Sequence, residues 1–169
     1  MKGEIVNKVE QSGIITINLE TLVPNMEMSS IDIKDQLFHG LILKEKDFRG
    51  WVKETDWSIY TDKAVAVHCS ADAVVPTWAY MLISTALNGI TNYVFFVTPD
   101  QLGAMLAERA LNSVVPSDYQ DKRVVIKGCG EREISNHAYV TLSTKLAPVV
   151  KSLMFGEPCS TVPVYKKRK

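Results

Sequence analysis

Three short apolar runs, "AVAVHCS", "YVFFV" and "RVVIKGC", set the grammar of the chain from Lys63 onward, and each is followed by a longer stretch with helical spacing. A short apolar run bounded by turn residues fits a strand buried on both faces. The stretch "ADAVVPTWAYMLISTALNG" is predicted as a helix, with Pro76 suited to the first turn and Gly89 to the stop. "TPDQLGAMLAERALNSV" follows with Pro99 and Asp100 in a first turn, and "SNHAYVTLSTKLAPVVKSLMFG" is predicted as a helix or helix pair interrupted near Pro148. In the first third, "GIITINLE" alternates as a half-buried strand does and "VPNMEMSS" carries loop residues. One or two helices are expected over roughly 33–55, with Leu41, Phe48 and Val52 on one face, Leu37 a further candidate, and Gly40 as a break.

Strands alternating with helices predict an α/β protein with a mostly parallel sheet and helices on both faces. The expected organisation is one domain over 1–169. In it a less regular part over about 1–62 packs on a βαβαβα part over about 63–155, followed by a C-terminal strand and basic tail. No internal repeat is expected beyond the βα rhythm. The strand order 2-1-3 is expected for the three apolar runs, because it makes the first and third neighbours about 4.8 Å apart.

Composition narrows the function classes. Lys plus Arg and Asp plus Glu both number 19, so nothing global points to nucleic acid or a membrane surface. The N-terminus carries acidic residues early and lacks the apolar run of about 7–15 residues of a signal peptide, which implies a cytoplasmic protein. No stretch approaches the roughly 18 apolar residues that span a bilayer. The tail "YKKRK" reads as a solvated, mobile terminus.

The three cysteines are the candidate chemistry. Cys69 and Cys129 each end a predicted strand, and Cys159 lies between Pro158 and Pro163, whose fixed backbone would hold it in place. With the 2-1-3 order all three thiols converge at the sheet rim. Three facing thiolates need a compensating cation, so convergence argues for zinc, copper(I), iron or an iron–sulfur cluster. Asp72, Glu157, His68 or a solvent molecule would supply the fourth ligand, although His68 alternates to the face opposite Cys69. Two other readings stand beside this one. Cys69, ahead of a helix N-terminus, would be the nucleophile of a thiol enzyme with His137, His39 or His68 as base. Alternatively, the thiols are only packed, in an interaction module that forms a homodimer through the N-terminal helical region.

Trp78, Tyr80, Met81 and Leu82 are expected in the core, and Asp72 is expected to cap the helix that carries them. The glycines of "KGCGE" allow a close backbone approach, but the stretch matches neither GxGxxG nor a Walker loop, so no nucleotide fingerprint is present.

The segments "IDIKDQLFHGLILKEKDFR", "CSADAVVPTWAYML", "VIKGCGE" and "PVVKSLMFGEPCSTVPVYK", in this order, resemble a family of small uncharacterised bacterial proteins classed as a domain of unknown function. The resemblance covers nearly the whole chain and includes all three cysteines. It implies no reaction, and it implies iron–sulfur cluster assembly proteins as partners.

Overall fold

The computed structural model describes residues 13–128, 130–157 and 159–168. They form a mixed α/β fold with five α-helices and two parallel-stranded sheets. The chain divides into two compact units, one built by the described residues up to Pro24 and from Ala107 on, the other by Asn25–Leu106.

In the unit Asn25–Leu106 the strands β2 (Met28–Asp32), β5 (Ala64–His68) and β6 (Tyr93–Phe96) are parallel, in the order β2-β5-β6. The central strand is buried on both faces, as its unbroken apolar run predicts. Its Val65 and Val67 pack with Phe48 of α2 (Glu45–Glu54) and with Ala79, Ile83 and Leu87 of α3 (Thr77–Ala86) and its C-cap. Pro76 immediately precedes α3, and Gly89 at φ 80 lies just beyond its end, as the sequence suggests.

The helix expected from residue 33 begins later. Residues 33–36 form a single 3-10 turn, and β3 (Leu37–Phe38) pairs antiparallel with β4 (Ile42–Leu43) around His39 and Gly40, both left-handed at φ 52 and 70. Gly40 therefore marks a hairpin turn rather than a break between two helices. Leu37 and Leu41 belong to this hairpin, while Phe48 and Val52 do face the core from α2. The α4 helix (Leu102–Leu111) follows a 3-10 turn at Pro99–Gln101 in which Thr98 and Gln101 form a capping box.

In the other unit the order is β1-β7-β8-β9: β1 (Ile14–Asn18), β7 (Arg123–Lys127) and β8 (Ser152–Glu157) are parallel, and β9 (Ser160–Lys166) is antiparallel to β8. A single turn of helix, α1 (Leu19–Leu22), follows β1, and α5 (Asn136–Leu146) connects β7 to β8. The segment "SLMFG", expected as helix, belongs to strand β8: α5 ends before Pro148, and Leu153 and Phe155 alternate along the register with Val124 and Ile126.

The strand order 2-1-3 is not found. The three apolar runs belong to two sheets, because β5 and β7 each take an N-terminal strand as parallel partner, β2 and β1 respectively, rather than each other.

The absence of a repeat is likewise corrected. Ala64 and Arg123 open β5 and β7, Thr77 and Asn136 open α3 and α5, and Tyr93 and Ser152 open β6 and β8, each pair 59 residues apart. The 3-10 turns Trp57–Tyr60 and Pro116–Tyr119 keep the same spacing. So do the backbone bonds from the Asp62 amide to the Ile90 carbonyl and from the Asp121 amide to the Val149 carbonyl. Even the strands before them correspond. Asn18 opposes Lys127, Asp32 opposes His68, and each accepts a 3.0 Å bond from the amide two residues on. The two units are thus copies of one βαβ plan in which ungapped stretches such as "AYMLIST" and "AYVTLST" occupy the same positions.

Candidate binding clefts

The loop that leaves β7 has two glycines packed directly against side chains. A Cβ on Gly128 would strike the ring and hydroxyl of Tyr139, and one on Gly130 would strike the carboxylate of Glu20. The close approach expected of "KGCGE" is therefore made to these two side chains. Tyr139 donates a 2.7 Å hydrogen bond to the Gly128 carbonyl. The Arg132 guanidinium donates to the carbonyls of Glu20, Val23 and Pro24, and the Arg132 amide donates to Glu20 Oε1 at 2.8 Å. These bonds tie the loop to the β1–α1 segment.

Beside this loop, at the carboxyl end of β7, lies a cleft of about 710 Å³. Its floor is apolar, from Ile126, Ile134, Leu153, Phe155 and Val164, with Tyr139 meeting Phe155 edge-on at 5.6 Å between ring centres. Glu131, Glu133, Asn136 and Ser143 supply its polar edge. Arg132 also lines the cleft, and three of its guanidinium N–H groups go to backbone carbonyls. An ion pair of 3.0 Å joins Lys127 to Glu157, and His137 sits 3.2 Å from Glu108.

The unit Asn25–Leu106 repeats the cleft at about 790 Å³. Val67, Val75, Thr77, Tyr80, Ser84 and Phe96 line it where Ile126, Ile134, Asn136, Tyr139, Ser143 and Phe155 line the other. Tyr80 again meets its phenylalanine, Phe96, edge-on, at 4.7 Å. This cleft carries no charged lining residue, and Val74, Met81 and Phe96 along it are 90%, 62% and 72% exposed. Of the residues expected in the core, Met81 is outside it, and Trp78, Tyr80 and Leu82 are half-buried against it, because α3 turns Ala79 and Ile83 inward instead. Neither aromatic pair was marked as a site by motif; alignment of the chain with itself at 59 residues would have singled out both.

At the strand ends of the same unit, Asp32 accepts from the Ser70 amide at 3.0 Å, the Ser70 hydroxyl at 2.5 Å and the Lys34 amide at 3.0 Å. Burial alone would raise its pKa, but the Ser70 hydroxyl, the Ser70 and Lys34 amides and nearby His68 outweigh it and hold the carboxyl at about 2. Burial pushes the Tyr80 hydroxyl up, and Cys69 and Asp32 add to the rise.

The convergent thiol site is not present. Cys69, half-buried, donates to the Ala71 carbonyl at 3.7 Å in one unit, whereas Cys159 is exposed in the tight β8–β9 connection of the other. Cys129 and Pro158 lie outside the described residues. Among the described residues no group of three or more His, Cys, Asp or Glu is placed to hold a metal ion. The expectation fails because it required the strands of Cys69 and Cys129 to be neighbours in one sheet. The proposed additional ligands have other settings: Asp72 is exposed and does not cap α3, Glu157 pairs with Lys127, and His68 lies beside Asp32. Of the other histidines, His39 packs on Phe38 in the β3–β4 turn, and His137 belongs to the unit that lacks Cys69.

Among the described residues, no helix is long and apolar enough to cross a membrane. No curated protein and no solved structure matches the chain. A family model does, over residues 3–167, and its span of nearly the whole chain agrees with the resemblance carried by the four quoted segments. The chain therefore belongs to the family described as "Protein of unknown function (DUF2480)".

Proposed function

We propose that the protein is a binding protein whose ligand site is the cleft between β7, β8 and α5, and that its ligand is a small molecule with an apolar body and a cationic end. The observation that carries this reading is the mismatch of charges at the rim. The one guanidinium lining the cleft points three of its N–H groups at backbone carbonyls, whereas Glu131 and Glu133 are both exposed at the edge of an apolar floor, so carboxylates outnumber cations in the lining by two to one. A cleft of about 710 Å³ lies within the range of small-molecule sites, roughly 300–1,000 Å³, and such sites combine an apolar lining with a few polar groups that orient the ligand. It reaches the carboxyl end of β7, and the carboxyl ends of parallel strands are where α/β sheets bind ligands.

Titration with n-octylamine and n-octanoate, each followed by amide chemical shifts, tests the proposal. Octylamine is expected to move the amides of Ile134, Tyr139, Phe155 and Val164, octanoate to bind at least about five-fold more weakly, and the double variant Glu131→Gln, Glu133→Gln to erase that preference. Equal response to amine and acid, or shifts scattered away from the cleft, would overturn it.

A further inference from the structure

The duplicated plan differs at one edge. In the unit that contains β8, the side of β8 away from β7 is covered by antiparallel β9. The strand at the corresponding position in the other unit, β6, pairs with β5 on one side, and among the described residues no strand pairs along Phe95–Phe96 on the other. We propose that a second copy of this chain supplies the missing strand, β6 pairing antiparallel with β6 of the copy along Phe95–Val97 about a two-fold axis.

The chemistry of the two terminal strands supports this occupant. β9 ends its sheet with the devices that discourage further pairing: Pro163, an irregular register beside Met154, and Lys166. β6 has none of them. Its sequence "YVFF" and the following Val97 contain no charge and no proline, so antiparallel self-pairing sets no like charges opposite each other. A two-fold contact requires a self-complementary patch. Phe96, Met81 and Val74 form an exposed apolar and uncharged one on the α3 side of the strand. Apolar area in such a concentration marks an interaction surface on a chain whose formal net charge is zero. The inference is independent of the ligand proposed for the other cleft, since Phe96 does not line that cleft.

Sedimentation equilibrium of the full chain between 5 and 200 μM provides the test. The wild type is expected at twice its 18.9 kDa mass in the upper part of that range. Phe96→Lys is expected to be monomeric throughout and still folded, with a melting temperature lowered only modestly by loss of the Tyr80 ring contact and of the dimer, because Phe96 is largely exposed within one copy. Val164→Lys, on β9, is expected to remain dimeric. Amide exchange at Phe95–Val97 should slow as concentration rises. A monomer at 200 μM would overturn the proposal, and so would a dimer that Phe96→Lys leaves intact, since that copy would be held elsewhere.

Discussion

Asp62 and Asp121, 59 residues apart, adopt the same uncommon backbone. Both are left-handed, at φ 57 and 54, and each amide donates to a carbonyl in the turn between the helix and the last strand of its own βαβ unit, Ile90 or Val149. Left-handed backbone is strained for most residues, and aspartate tolerates it better than β-branched side chains do. The recurrence of the same solution in both units shows that the turn before the central strand is part of the plan that was copied.

Asp62→Gly is therefore expected to hold or raise stability, and Asp62→Val to lower it by about 1–2 kcal/mol. Urea unfolding of both variants checks this. A valine variant as stable as the glycine one would mean that the turn relaxes without strain.

Gly128 and Tyr139 should behave as one unit. Gly128→Ala drives a methyl group into the Tyr139 ring and is expected to cost about 1–3 kcal/mol, as overpacking does. Combining it with Tyr139→Leu, which removes the obstructing ring, should recover part of that loss. Additive single effects would show that the Tyr139 ring is not what forbids a side chain there.

Local patterns made much of this fold legible. The apolar runs that became β5, β6 and β7, the helix between Pro76 and Gly89, and the Pro99 start of the next helix follow from periodicity and caps. Strand partnership was not legible from those signals, because nothing in "AVAVH" or "RVVIK" says whether its neighbour comes from the other run or from the N-terminal segments. β8 was hidden because "SLMFGE" has three adjacent apolar residues and no clean alternation. The error about the thiols descends directly from the error about partnership. The clefts were legible only through the repeat, whose shared residues are too few in any short window to stand out, yet they fall at Tyr80 and Tyr139 and at Phe96 and Phe155.

Arg132 acts as a strap. Its guanidinium reaches three carbonyls in Glu20, Val23 and Pro24, a geometry that a single ammonium cannot reproduce. Arg132→Ala is expected to cost about 2–3 kcal/mol, from hydrogen bonds to a charged donor and from carbonyls left without one. Arg132→Lys should restore less than half of that in urea unfolding, and full restoration would reduce the strap to a simple charge.

Asp32 gives a stability term with a defined pH window. Its carboxyl titrates at about 2 in the folded chain, below the ordinary aspartate value of 3.8. A carboxyl with a depressed pKa contributes fully above its unfolded value and loses that contribution as pH falls toward its folded one. Asp32→Asn keeps the shape but weakens the acceptor for Ser70 and Lys34, so it is expected to cost about 1–2 kcal/mol at pH 7. The stability gap between wild type and variant should stay constant down to about pH 5, shrink to roughly half near pH 3 and nearly close at pH 2. Paired denaturation curves across that range measure the gap directly. A gap that does not change with pH would show that the bonds from Ser70 and Lys34, not the charge of Asp32, carry the stabilisation.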